Sequence, residues 1–99
     1  MILIIGTIRL PPANVGSARR AMAQMVAASR AEAGCIDYAY AEDMLEPGLI
    51  RVSELWRDRQ SLDKHFTSSH IAKWRAQWPA LGITDRDLQA YEVGEPRPA

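Results

Sequence analysis

Both histidines of the chain, His65 and His70, fall in one short stretch, "HFTSSH". It follows "SELW", which carries the carboxylate of Glu54 and the indole of Trp56. Histidine is the side chain whose unperturbed pKa allows proton exchange near neutral pH, which makes His65 the candidate general base. The plainer reading is a half-buried helix histidine bonded to a backbone carbonyl. Strand alternation puts Glu54 on the same face as Val52 and Trp56, and a carboxylate among apolar neighbours needs a partner or a raised pKa. Glu54 then either orients a histidine or binds substrate, or it closes a salt bridge to an arginine of a helix or of a second subunit. His70 follows directly on a helix cap and is placed to face solvent.

The spacing of the two histidines, i and i+5 across an expected helix break, is not the i, i+4 geometry of a helical two-histidine metal site. No carboxylate close by in sequence completes a ligand set, because Asp63 and His65 point differently on one helix. The expectation is therefore no metal. The aromatic residues Trp56, Phe66, Trp74, Trp78, Tyr38 and Tyr40 either line a pocket for a flat ligand or form the core between sheet and helices. Trp56 is assigned to the pocket and Trp78 to packing. No glycine-rich phosphate loop, nucleophile-elbow motif or dinucleotide fingerprint is present.

The elements that must position these residues follow from patterning. Ile2 to Leu10 is β-branched, apolar on both faces and stopped by Pro11-Pro12, as expected of a strand buried on both sides. Asn14 suits a helix N-cap, and Val15, Ala18, Met22, Met25, Val26 and Ala33 recur at helical spacing until Gly34. Positions 35–43 read as a strand with Ile36, Tyr38 and Tyr40 on one face. Turn chemistry at 46–48 leads into a third strand, "LIRVSELW". Asp58 caps a short helix carrying Leu62, His65 and Phe66, and Ser68 caps another carrying Ile71, Trp74 and Trp78, weakening near Pro79. "DLQAYEV" is a short last strand.

The order β-α-β-β-α-β, with the second helical region broken in two, predicts an α+β, ferredoxin-like fold: a four-stranded antiparallel sheet with its helices on one face. The chain has 99 residues, enough for a single domain, placed at 1–94 with a loose tail at 95–99. Apolar residues on the uncovered sheet face predict a homodimer joined sheet to sheet. Twelve Lys and Arg balance twelve Asp and Glu, which argues against a nucleic-acid partner. The single cysteine, Cys35, excludes an intramolecular disulfide and any multi-thiolate metal site, and reads as a small buried residue. No run is long enough to span a membrane, and the N-terminus does not read as a signal peptide, so the expected location is the cytoplasm.

Three stretches, "EAGCIDYAY" at 32–40, "SELWRDRQSLDKHFTSSH" at 53–70 and "IAKW" after them, resemble the antibiotic biosynthesis monooxygenase family. The matching positions are Glu32, Gly34, Cys35, Tyr38, Glu54, Trp56, Leu62, His65 and His70. Ala33 departs from the pattern, which has proline there. The resemblance implies a dimeric α/β barrel of ferredoxin-like subunits and an oxidoreductase that oxidises a quinol or anthrone with O2, using neither metal nor organic cofactor. It gives His65 the role of proton acceptor, Glu54 that of orienting it, and Trp56 a place beside the ring system. Tyr38, Phe66, His70 and Trp74 become the substrate contacts. A related branch degrades haem with a histidine, a tryptophan and a first-strand asparagine. "ILIIGTIRL" has no asparagine, although His65 or His70 could still ligate iron. A non-catalytic small-molecule binding or signalling module is the remaining alternative.

Overall fold

The computed structural model describes all 99 residues. Four strands, β1 (Ile2–Arg9), β2 (Cys35–Glu42), β3 (Leu49–Trp56) and β4 (Thr84–Glu92), form one antiparallel sheet in the order β2-β3-β1-β4. Helix α1 (Val15–Arg30) connects β1 to β2. Helices α2 (Arg59–Phe66), α3 (Ser69–Ala76) and the single turn α4 (Trp78–Leu81) connect β3 to β4. This is the expected ferredoxin-like α+β fold, with the second helical region in three pieces rather than two.

The core lies between the sheet and the helices. Ile2, Ile4 and Ile8 of β1, Tyr38 of β2, and Ile50, Val52 and Trp56 of β3 alternate onto one sheet face and are buried there. Val15, Ala18, Met22 and Met25 supply the matching stripe of α1. On the opposite sheet face Ile5 is 49 % exposed and Tyr91 52 %. The first and last residues of the sheet meet: Met1 and Val93 exchange backbone hydrogen bonds, Val93 N–H donating to the Met1 carbonyl at 3.0 Å.

Four local expectations change. Asn14 does not cap α1 through its side chain. It ends a 3₁₀ turn, Pro12–Asn14, and its Nδ2 donates to the Leu81 carbonyl at 2.9 Å, tying the start of α1 to the end of α4. Ile36 does not share a face with Tyr38 and Tyr40. The β2–β3 register shifts between Cys35 and Asp37, so Ile36 is the extra residue of a bulge and is exposed. β4 begins at Thr84, three residues before the expected start, because β1 pairs with the charged segment ahead of Asp87. The helix capped by Ser68 weakens ahead of Pro79 as expected but stops at Ala76, so Trp78 is not on it. Trp78 opens α4, with Pro79 in the first turn, where its missing N–H would have had no acceptor.

Candidate active site

Helix α2 starts at an Asp58 cap, whose side chain accepts from the Ser61 N–H at 2.8 Å. One turn of helix then carries Leu62 and His65 inward, and His65 ends 2 % exposed. The chain breaks at Thr67 and restarts as α3 under a Ser68 cap. The Ser68 hydroxyl donates to the His65 carbonyl at 2.7 Å, and its oxygen lies 3.2 Å from His70 Nε2. With its hydrogen committed to the carbonyl, that oxygen accepts from His70, so Nε2 carries the proton. The break therefore folds two histidines five residues apart into one cluster, with ring centroids at 5.9 Å.

Glu32 completes the cluster. It lies in the tight turn between α1 and β2, closed by Glu32 N–H to Ser29 and Cys35 N–H to Glu32. Gly34 in that turn has φ +83°, and a Cβ there would come within 2.1 Å of the Ser61 hydroxyl, so only glycine lets the turn pack on α2. Glu32 Oε1 is 2.7 Å from His65 Nδ1 and 2.5 Å from His70 Nε2. The carboxylate that orients His65 is thus Glu32, not Glu54. Glu54 Oε1 accepts from Trp56 Nε1 at 2.9 Å and stands 4.0 Å from His65 Nε2. With Nδ1–H donated to Glu32, the Nε2 lone pair of neutral His65 faces the Tyr38 hydroxyl at 3.4 Å. Burial lowers the His65 pKa, opposed by the Glu32 contact, and burial raises that of Glu54. Burial also raises Tyr38, and it pushes the Cys35 thiol up to about 11.

His65, whose Nε2 faces Tyr38 and Glu54, lines a cavity between sheet and helices together with those two residues, Phe66, Trp74, Arg75 and Arg86. Its free space is about 20 Å³, room for one water. Trp78 also lines it, and the indole N–H groups of Trp74 and Trp78 are buried without a hydrogen-bond partner. Of the residues singled out from sequence, Tyr38, Glu54, His65, Phe66 and Trp74 meet at this cavity. Trp56 is fully buried behind Glu54, its ring 4.7 Å from that of His65. His70 opens instead on a separate surface groove beside Gln24, Lys73 and Gln77.

A family model described as antibiotic biosynthesis monooxygenase matches residues 1–77. The chain belongs to this family. A candidate antibiotic biosynthesis monooxygenase from Deinococcus radiodurans superposes with a TM-score of 0.92 at 25 % identity, covering 100 % of this chain and 98 % of that one. A Mycobacterium tuberculosis structure reaches 0.82 at 26 % identity over 96 % of both chains. An uncharacterized protein of Synechocystis is 28 % identical over 95 % of this chain, which spans 64 % of that relative's length. No helix is long and apolar enough to cross a membrane.

Within this antibiotic biosynthesis monooxygenase domain, sequence reasoning missed Glu32 as a working carboxylate, Trp78 as a cavity residue, and Arg75 and Arg86 altogether. Arg86 was accessible in principle, since it lies two positions before the inward Leu88 on one strand face. The carboxylate that sequence distance seemed to deny the histidines is also present. Ligand atoms of Glu32, His65 and His70 all lie within 4.8 Å of one another.

Proposed function

We propose that this domain is a cofactor-independent monooxygenase acting on a small aromatic quinol or anthrone. The observation that carries the reading is the pairing of a base with anion-stabilising groups. His65 lines a cavity together with Arg75, Arg86, Trp74 and Trp78, and the indole N–H groups of the two tryptophans have no hydrogen-bond partner. A group that loses a proton to His65 leaves an anion, and these cations and donors are the complement an anion requires. An anthrone or quinol anion is electron-rich enough to reduce O2 directly. For an anthrone, the ring carbon loses a proton to His65 and binds O2 as a peroxide. Loss of water then leaves the quinone: one CH2 and one O2 give one C=O and one H2O, the substrate supplying all four electrons that O2 takes up. The protein's tasks are to accept the proton, hold the anion and exclude water.

Glu32 holds His65 in the Nδ1–H tautomer through the reaction and stabilises the imidazolium that forms, while Tyr38, Phe66 and Trp74 contact the ring. Because the cavity holds one water, a ring system enters only by moving its wall. Phe66, under the Arg75 guanidinium at 5.8 Å, is the half-buried part of that wall. Our reading includes a homodimer through the open sheet face, where Ile5 and Tyr91 are exposed. The cavity's small size favours a second reading, a binding module for a very small ligand.

The test is O2 consumption by metal-stripped protein against anthrones, hydroquinones and hydroxynaphthalenes, with autoxidation as baseline. Saturable consumption is expected, falling about 10²- to 10⁴-fold in His65→Ala. Baseline rates across the whole panel would overturn the oxygenase reading in favour of the binding module.

A further inference from the structure

We propose that Glu32, His65 and His70 form a binding site for a divalent transition-metal cation of the zinc class, and that its occupancy turns the inner face of His65 from proton acceptor into proton donor. The site stands on geometry alone; the effect on catalysis rests on the oxygenase reading above.

Two imidazoles and one carboxylate are a donor set that suits zinc and its borderline-soft neighbours. Here they converge. His65 Nδ1 and His70 Nε2 aim at the same oxygen of Glu32, at 2.7 and 2.5 Å. Two N–H protons thus occupy the point where a single cation would meet all three ligands. For three atoms bound at about 2.0–2.1 Å in a tetrahedral set, neighbouring ligands stand about 3.3 Å apart. The two N···O contacts therefore need to open by about 0.6 and 0.8 Å, and the two nitrogens, which lie within 4.8 Å of each other, need to settle at the same spacing.

Access and support are both built in. Cluster and cavity lie on opposite sides of the His65 ring, so a cation does not pass through the substrate space. His70 and Glu32 are only partly buried, and His70 lines a groove of about 270 Å³. Water in that groove can fill a fourth coordination position. A ligating imidazole is commonly held through its second nitrogen by a polar partner. For His65 the partners in place are the Tyr38 hydroxyl at 3.4 Å and the Glu54 carboxylate at 4.0 Å. The ligands come from the ends of three elements, and Ser68 fixes the relative setting of the two histidines.

The proton balance gives the switch. A neutral imidazole bound to metal through one nitrogen keeps its one hydrogen on the other. On loading, the His65 proton leaves Nδ1 and a proton appears on Nε2, with no net release. Nε2 then donates towards Tyr38 and Glu54 and cannot accept a proton from substrate.

The experiment titrates metal-stripped protein with Zn2+ by calorimetry and with Co2+ by visible absorption, on wild type, Glu32→Gln and His70→Ala, with circular dichroism confirming that each variant is folded. One Zn2+ per chain is expected, with affinity reduced about 100-fold or more in each variant. Absence of saturable binding, or binding unchanged in His70→Ala, overturns the site. ¹⁵N spectra of the histidine rings read the switch without any turnover: Zn2+ should move the His65 proton from Nδ1 to Nε2. An unmoved tautomer at saturating Zn2+ overturns the switch. In the turnover assay, Zn2+ should abolish O2 consumption at the concentration that half-saturates binding. Tight Zn2+ binding by a protein inert towards every substrate would remove the oxygenase reading and leave the site. Turnover unchanged at saturating Zn2+ would overturn the switch and leave the oxygenase reading standing.

Discussion

At the scale of single residues, the two carboxylates near His65 have opposite settings. Glu32 is partly exposed and shared by two imidazoles, whereas Glu54 is buried against one indole N–H. Burial raises the Glu54 pKa in the folded state, so the folded protein holds that proton more tightly than the unfolded chain. Stability therefore falls as pH rises from the unfolded carboxylate range, about 4.3, through the higher folded value, and the penalty persists above it. Glutamine keeps an oxygen for Trp56 without the charge. Thermal unfolding of Glu54→Gln should give a higher Tm than wild type at pH 7 and a smaller difference at pH 4; the opposite trend would mean that the carboxylate is held ionised at no cost. His65 was legible in the sequence because its residue type is informative by itself. Glu32 was not, because its partners lie 33 and 38 positions away and only the α1–β2 turn brings them together. Arg75 and Arg86 were passed over for a different reason, even though strand spacing offered Arg86: a charged side chain is by default read as solvated.

At the scale of elements, the α2–α3 break positions the site, and one hydroxyl organises it. Ser68 accepts from the Ile71 N–H at 3.4 Å, donates to the His65 carbonyl and receives His70. Ser68→Ala should lower stability by about 1 kcal/mol through the lost cap. It should also free the His70 ring, seen as broadened or averaged imidazole resonances. A variant with unchanged ring signals would show that Glu32 alone fixes His70. Elements with clean periodicity, namely β1, α1 and β3, were readable from apolar spacing. The first part of β4 was not, since "TDRD" looks like loop and becomes strand only by pairing with β1. The facing of Ile36 was misread because alternation assumes an unbroken ladder, and a bulge adds one residue without announcing itself in composition.

At the scale of the whole molecule, the sheet has one face under helices and one without cover. The apolar content of that second face was visible in the sequence; what covers it was a matter of argument. If a second copy does, a charge at its centre should separate the pair. Ile5→Asp is expected to sediment as a monomer at micromolar concentration while keeping its circular dichroism spectrum, and wild type as a dimer. A monomeric wild type would sink the proposal of a sheet-to-sheet dimer. The meeting of Met1 with Val93 has a consequence of another kind. The two ends of the sheet's polypeptide lie hydrogen-bonded side by side at one corner, while Met44 and Leu45 stand almost wholly exposed in the β2–β3 loop. A few glycines could join 93 to 1, and the loop could be opened at 44–45 instead. The same sheet would then be traversed from β3 through β4 and β1 to β2, with every histidine contact made within its original neighbourhood. Connectivity is thus a removable property of this fold, and a circular permutant would carry Glu32 after the histidines rather than before them.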